Sequence, residues 1–396
     1  MPDAPKPAMH RIKTLNAISS HGLNRFPKDE YEIGSDVEDA DAWLVRSADL
    51  HQQTIPDSVL AVARAGAGTN NIPVTDLSAR GVPVFYTPGA NANAVKELVL
   101  AGMLLSARNI VPALSFEHGL SGDGDGMSNA VESGKKQFVG FELPGRTLGV
   151  VGLGAIGVEV ANAAQALGMK VLGFDPAISI RHAWQLSSKV DRASTIEEVL
   201  KKADMVTVHV PLIESTKNLV SADRIALMKN RAVLLNFARA GIVNEEAVLA
   251  ALEAGEIRGY VCDFPSPALH GHPKVIALPH LGASTIEAEA NCAVMAADAL
   301  RDFLENGNIT NSVNFPEAVL DRGEGTRRIA VANRNVPNMV AEMSTLVGDT
   351  GLNIANLLNK SRGDLAWTMF DVTGEVPDVL RERILSITGV LSARLI

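Results

Sequence analysis

The run at residues 146–157, RTLGVVGLGAIG, constrains this chain more than any other. The apolar stretch RTLGVV leads into Gly152, Gly154 and Gly157, spaced G-x-G-x-x-G, and the helical pattern IGVEVANAAQALG follows. A second apolar run, KVLGFD, ends in Asp175. Strand, glycine turn, helix, strand and acid in that order make a dinucleotide fingerprint. The glycines let backbone N–H groups at a helix start approach a pyrophosphate. An acid at the end of the second strand accepts hydrogen bonds from the adenosine ribose and repels a 2′-phosphate. The expected cofactor is therefore NAD, held by Gly152, Gly154, Ala155, Ile156, Gly157 and Asp175. A glycine turn in a nucleotide-free α/β fold is the alternative; spacing, strand and acid together argue against it.

The alternation of strand-like and helical segments continues to residue 280 through MVTVHVP, AVLLNFA, GYVCDF and KVIALP, the pattern of a doubly wound parallel sheet. Ahead of it, AWLVRS (42–47), VLAVARAG (59–66) and VPVFYT (82–87) read as strands of another parallel sheet. The spacing predicts a helix over 91–109. Residues 119–136, polar and glycine-rich, read as a surface loop. A long helix is expected over 286–305, stopped by Asn306-Gly307, and 312–326 is turn-rich. Residues 327–396 read β-α-β-β-α-β, a ferredoxin-like order.

With 396 residues, 46% of them hydrophobic and 20% charged, the chain has a globular profile and room for several domains. A net charge of −9 argues against a nucleic-acid partner. Two cysteines, Cys262 and Cys292, are too few for a disulfide framework or a cysteine zinc site, so a reducing cytoplasm is expected and the thiols read as packing residues. The N-terminal MPDAPKPAMHRIKTLNAI has no apolar core and does not read as a signal peptide. Apolar runs such as LVLAGMLL are too short for a membrane span.

Ligands of such sheets sit beyond the carboxyl ends of the strands. AVLLNFA is followed by Arg239 and KVIALP by His280. A cation fixes a substrate carboxylate and polarises the reacting oxygen, and an imidazole takes or gives the hydroxyl proton. Arg239 has a second reading, as a cap on a strand end. Arg46 has Asp41 and Asp49 as alternative partners. His270 and His272 sit in a Pro/Gly loop and read as exposed loop histidines; as a metal pair they lack a third nearby ligand other than Asp263. No metal is expected.

GLGAIG, LNFARAGIVNEEAVLAALEAGEI and LPHLGAST closely resemble the D-isomer-specific 2-hydroxyacid dehydrogenases. RSADL, RAGAGTNNI and the C-terminal βαββαβ unit narrow this to the phosphoglycerate dehydrogenase branch with an ACT-like domain. The resemblance implies a Rossmann-type sheet (93–280) inserted in a smaller flavodoxin-like α/β substrate domain (1–92 and 281–315). A linker (316–326) and an ACT-like regulatory domain (327–396) complete it. It implies NAD-dependent oxidation of 3-phospho-D-glycerate to 3-phosphohydroxypyruvate, the first step of phosphorylated L-serine synthesis. A glycerate or hydroxypyruvate reductase and an NAD-sensing, corepressor-like module are the alternatives. Carried over by position, Arg239 is the substrate anchor and His280 the acid/base. Asp263 lies beside the nicotinamide carboxamide, and His209, Pro211, Ala238 and Gly282 line the cofactor cleft. Arg46, Ser47, Gly66, Gly68 and Asn91 contact substrate. A homodimer or homotetramer is implied.

The chain departs from the family pattern in two places. No carboxylate stands between Asp263 and His280, where relatives place a glutamate that hydrogen-bonds the histidine. Glu287 is the next acid, and Ser284-Thr285-Ile286-Glu287 reads as a capping box with Ser284 as the cap. His280 then acts unassisted or draws a carboxylate from elsewhere. In the C-terminal domain the turn expected as N-x-P-G reads Asn335-Val336-Pro337-Asn338. Asn tolerates positive φ, so the turn is expected to persist. Asn335 and Asn353 are the candidate L-serine contacts, against a domain kept only for oligomer contacts.

Overall fold

A computed structural model describes residues 9–122 and 124–396. Residues 1–8, the start of the segment read as no signal peptide, lie outside the described residues. The chain forms two compact units, one running up to Asn91 and resuming over Ile286–Ile396, the other Ala92–Thr285.

The first unit contains two sheets. Strands β1 (His10–Leu15), β2 (Tyr31–Gly34), β3 (Ala42–Val45), β4 (Ala61–Arg64) and β5 (Val84–Phe85) form a parallel sheet in the order β2-β1-β3-β4-β5. That order is flavodoxin-like. The helix Ile286–Asn306 lays Ala296, Leu300 and Phe303 against Ile12, Leu44 and Ala63. β13 (Arg327–Arg334), β14 (Asn353–Arg362), β15 (Leu365–Thr373) and β16 (Val390–Leu395) form an antiparallel sheet in the order β14-β15-β13-β16.

The central strands of this last sheet, β13 and β15, are buried on both faces. The helices Met339–Gly348 and Asp378–Leu385 cover one face through Met343, Val347, Leu380 and Ile384, packed on Ile329, Val331 and Phe370. Its other face, with Ala330, Ala332, Trp367 and Met369, joins the core of the parallel sheet. Trp367 packs edge-on to Phe315, and its indole N–H donates to the Gly307 carbonyl at 2.9 Å. Arg328 and Asp371, both fully buried, form a bidentate pair at 2.6 and 2.9 Å, and Arg328 also donates to the Asn306 carbonyl. Burial on both faces explains why β13 and β15 carry continuous rather than alternating apolar runs.

The second unit is a parallel sheet of β6 (Thr147–Val151), β7 (Lys170–Phe174), β8 (Asp191–Arg192), β9 (Met205–Val208), β10 (Ala232–Asn236), β11 (Ile257–Cys262) and β12 (Val275–Ala277). Its order is β12-β11-β10-β9-β6-β7-β8. Strand order reverses at β6, and all strands run the same way. Their carboxyl ends therefore gather Gly152, Asp175, His209, Arg239, Asp263 and His280 along one edge, the place where such sheets bind ligands.

The structure corrects four expectations. Residues 124–134 of the stretch read as a loop are helical (Gly124–Gly134), followed by a 3₁₀ turn at Lys135–Phe138. Tertiary packing overrides the glycine content: the Phe138 ring packs at a 52° tilt on Phe116, centroids 5.3 Å apart, and a Cβ on Gly134 would meet the Phe116 ring at 2.2 Å. The helix expected over 91–109 ends at Ala107; Asn109, at φ 51°, breaks the chain before a second helix, Ile110–His118. β1, β2 and β8 are strands the sequence reading did not single out; β8 is only two residues long and exposed. The helix expected from 286 starts at Ile286, so Thr285, not Ser284, stands at the cap position, and Glu287 is its second residue rather than its third. Among the described residues no single helix is long and apolar enough to cross a membrane.

Candidate active site

The glycine loop is shaped by two close approaches and one opening. A Cβ on Gly157 would lie 1.9 Å from the Gly152 carbonyl oxygen, and one on Gly152 (φ 93°) would lie 2.7 Å from the His209 carbonyl. These two glycines let helix and strands close on one another. Gly154 is different: a Cβ there meets nothing within 4 Å. No protein atom demands a glycine at that position, at the start of the helix Ala155–Ala166, and a pyrophosphate approaching the backbone does. The residues present thus fit a dinucleotide.

Asp175 accepts from the Leu153 N–H at 2.8 Å and from the Ala177 N–H at 2.8 Å. It holds the glycine loop against the end of β7 while its oxygens keep lone pairs for a ribose. His209 bonds Thr207 Oγ1 through Nε2 at 2.9 Å, and its buried Nδ1 has no partner. Burial pushes its pKa down to about 4, so the ring is neutral near pH 7. Pro211 follows, exposed.

Arg239 and His280 are both exposed, Arg239 beyond the buried end of β10 and His280 beyond the half-buried β12. One residue links them mechanically. Asn236, 2% exposed, accepts from the Ala238 N–H at 3.1 Å and donates to the Arg239 carbonyl at 2.9 Å, bracing the turn that carries Arg239. Its own carbonyl accepts from the Asp263 N–H at 3.2 Å, and its amide lies 3.4 Å from the Tyr260 hydroxyl. Asp263, 1% exposed, then accepts from the Leu281 N–H at 2.7 Å and the Gly282 N–H at 2.9 Å. The turn so held presents His280 at φ 57°, with its ring 5.1 Å from that of Phe264. Among the described residues of this unit no carboxylate bonds the His280 ring. His272 is occupied locally, its Nδ1 accepting from the Lys274 N–H at 3.2 Å.

In the first unit Arg46 pairs with Glu289 on the long helix, rather than with Asp41 or Asp49. Arg64 donates to the carbonyls of Arg46 and Gly68, tying together the two loops that carry Arg46, Ser47, Gly66 and Gly68. Asn16 (φ 73°) accepts from the Ser47 N–H at 3.0 Å. Asn91 Oδ1 is buried without a partner. At the C-terminal sheet, Asn338 adopts φ 68° at the helix start, so the turn persists with Asn in place of Gly. Asn335 donates to the Gly363 carbonyl at 3.0 Å, whereas Asn353 pairs with Thr373. The ten-residue β14 puts these two asparagines at opposite ends of the sheet, roughly 30 Å apart at strand spacing. One chain does not bring them together.

Sequence reasoning missed Asn236, Tyr260, Asn16 and Glu289. Asn236 carried a signal: a lone amide inside the apolar run AVLLNFA, at a position fully enclosed in the sheet.

Comparison with known proteins agrees with this geometry. Residues 118–282 match the model of the D-isomer specific 2-hydroxyacid dehydrogenase NAD binding domain. A D-3-phosphoglycerate dehydrogenase of Haemophilus influenzae is 33% identical over 349 residues, 85% of this chain and 81% of that protein. One of Synechocystis is 34% identical over 386 residues, 92% of this chain and 65% of that protein, so this chain spans just under two thirds of its length. The NAD+-bound 3-phosphoglycerate dehydrogenase structure from Entamoeba histolytica shares the fold, with TM-score 0.59 and 24% identity over 78% of this chain and 99% of that one. With a dinucleotide loop, an arginine and a histidine set at the ends of one parallel sheet, and these relatives along most of its length, the chain belongs to the D-isomer-specific 2-hydroxyacid dehydrogenases, NAD-dependent oxidoreductases.

Proposed function

We propose that this protein oxidises the C2 hydroxyl of 3-phospho-D-glycerate to 3-phosphohydroxypyruvate, the entry to phosphorylated L-serine synthesis. The observation that carries the reading is the Arg239–Asn236–Asp263–His280 relay, which fixes a cation and an imidazole at the ends of β10 and β12, on either side of β11. The names of the long-range relatives support the substrate.

Bound NAD supplies a hydride acceptor. The chain's part is to bind, orient and move a proton. Gly152, Gly154, Ala155, Ile156 and Gly157 take the pyrophosphate, and Asp175 takes the adenosine ribose. His209, Pro211, Ala238 and Gly282 wall the cofactor cleft, with Asp263 beneath it. Arg239 holds the substrate carboxylate and its C2 oxygen; Nε2 or Nδ1 of His280 accepts the C2 hydroxyl proton. Arg46, Ser47, Gly66, Gly68 and Asn91 contact the substrate. The apolar, exposed Ile110, Val111 and Leu114 of one helix support a homo-oligomer. L-Serine contact by Asn335 and Asn353 requires two chains, since β14 separates them within one. Free, buried Cys262 and Cys292 suit a reducing cytoplasm.

The test is a panel of 3-phosphoglycerate, glycerate and lactate with NAD, with and without L-serine. NADH formation with 3-phosphoglycerate far above the others supports the reading. Preference for glycerate points to the reductase. NAD binding without turnover of any 2-hydroxy acid favours a binding module, the reading that the missing carboxylate at His280 leaves in play.

A further inference from the structure

At the opposite edge of the NAD-binding sheet from the glycine loop, the amino ends of three strands converge on a second cavity. Arg146 precedes β6, Arg231 precedes β10, and Arg258 lies near the start of β11. With Phe141, Asp204 and Lys229 they line one pocket. In a chain of net charge −9, four cations around a single carboxylate is a local inversion of sign.

That carboxylate is already committed. Asp204 accepts from the Thr147 N–H at 2.8 Å and pairs with Lys229 at 2.9 Å. Among the described residues none of the three arginines forms an ion pair. Arg146 donates to the Glu142 carbonyl and Arg258 to the side-chain oxygen of Asn109, both neutral acceptors. The guanidinium groups of Arg146 and Arg258 lie 4.3 and 5.1 Å from the Phe141 ring centroid. Arg258 Nε is buried and has no hydrogen-bond partner. Burial lowers the Arg258 pKa, and the neighbouring charges of Arg231 and Arg146 lower it further. Repelling, partly desolvated cations with an orphaned donor are costly unless an anion joins them.

We propose that this pocket is a second anion site that takes a phosphate dianion, either free phosphate or the phosphate group of a small ester. Three guanidinium groups offer more N–H donors than the two oxygens of a carboxylate accept, and a phosphate presents more oxygens in a matching fork geometry. The site lies at the amino ends of the strands and is separate from the catalytic edge of the same sheet.

The experiment is equilibrium dialysis of the full chain against labelled inorganic phosphate and, separately, glycerol phosphate, in low-salt buffer. Wild type is compared with Arg258→Gln, Arg231→Gln and the catalytic-edge variant Arg239→Gln, with circular dichroism as the folding control. Arg231 is exposed, so its variant keeps the test alive if Arg258→Gln misfolds. Saturable binding is expected, weakened roughly tenfold by Arg231→Gln and retained by Arg239→Gln. Turnover of the Arg231→Gln enzyme stays at the wild-type level. Tighter binding of the ester identifies a metabolite as occupant, and equal binding identifies free phosphate. No saturable binding, binding indifferent to Arg231→Gln, or binding abolished by Arg239→Gln overturns the proposal.

Discussion

Asp263 grips the two peptide N–H groups that follow His280: its oxygens accept from Leu281 at 2.7 Å and Gly282 at 2.9 Å, in a site 1% exposed. A left-handed histidine is strained by itself, and this clamp is what holds the turn. Asp263→Asn replaces one acceptor by a donor facing an N–H. The expected result is a fall in kcat/KM on the order of 10², the cost of ångström-scale misplacement of a proton acceptor. Steady-state kinetics beside calorimetric NAD binding check it. A loss confined to NAD affinity, with kcat intact, would count against a positioning role.

His280→Asn keeps a side chain that tolerates positive φ and removes the proposed proton acceptor. Turnover should fall about 10²–10⁴-fold while NAD still binds. Stopped-flow NADH formation with the folded variant decides this. Wild-type turnover would reassign the acid/base.

Asp175→Ser removes the charge proposed to reject a 2′-phosphate and one tie to Leu153. The ratio of kcat/KM for NADP to that for NAD should rise by roughly tenfold or more, mostly through loss with NAD. Parallel assays with the two cofactors measure it.

His209 is half-buried with its Nδ1 enclosed, and desolvation lowers its pKa from 6.5 to about 4, leaving it uncharged near pH 7. Between those values the unfolded chain binds the proton and the folded chain does not. Stability therefore falls as pH drops from about 6.5 towards 4, and is unaffected by this group above that window. His209→Gln should flatten that slope in thermal melts taken across the window. A wild-type slope unchanged in the variant would place the acid sensitivity elsewhere.

The fully buried pair Arg328–Asp371 is a further test of the C-terminal sheet. Arg328→Met alone strands a buried carboxylate and should cost about 3–5 kcal/mol, whereas Arg328→Met with Asp371→Leu should recover much of the loss. Denaturant melts of both variants make the comparison.

Much of this was legible in the sequence where local chemistry and fold coincide. RTLGVVGLGAIG demanded a strand, a tight turn and a helix whatever surrounded it, and the structure supplies Gly152 and Gly157 with their close contacts. Asn338 could be read as tolerating a left-handed turn, and it adopts one. What stayed hidden depends on residues far apart in the chain. Nothing near Arg46 announces Glu289, and nothing near Arg239 announces that Asn236 also reaches Asp263. The helix at Gly124–Gly134 was hidden because its support, Phe116, lies on another helix. The offset of one residue at Ile286 follows from two adjacent hydroxyl residues, Ser284 and Thr285, either of which is a chemically sound cap.

The two-sided burial of β13 and β15 also sets an order of events during biosynthesis. The NAD-binding unit is one continuous stretch of chain, Ala92–Thr285, and its core closes once that stretch has left the ribosome. The core shared by Ile12, Leu44 and Ala63 with Phe303, Ala330 and Trp367 cannot close until Trp367 has been made. The sheet of β1 to β5 is thus completed after the unit that follows it in the chain, and until then the apolar face that residues 296–369 cover stays open.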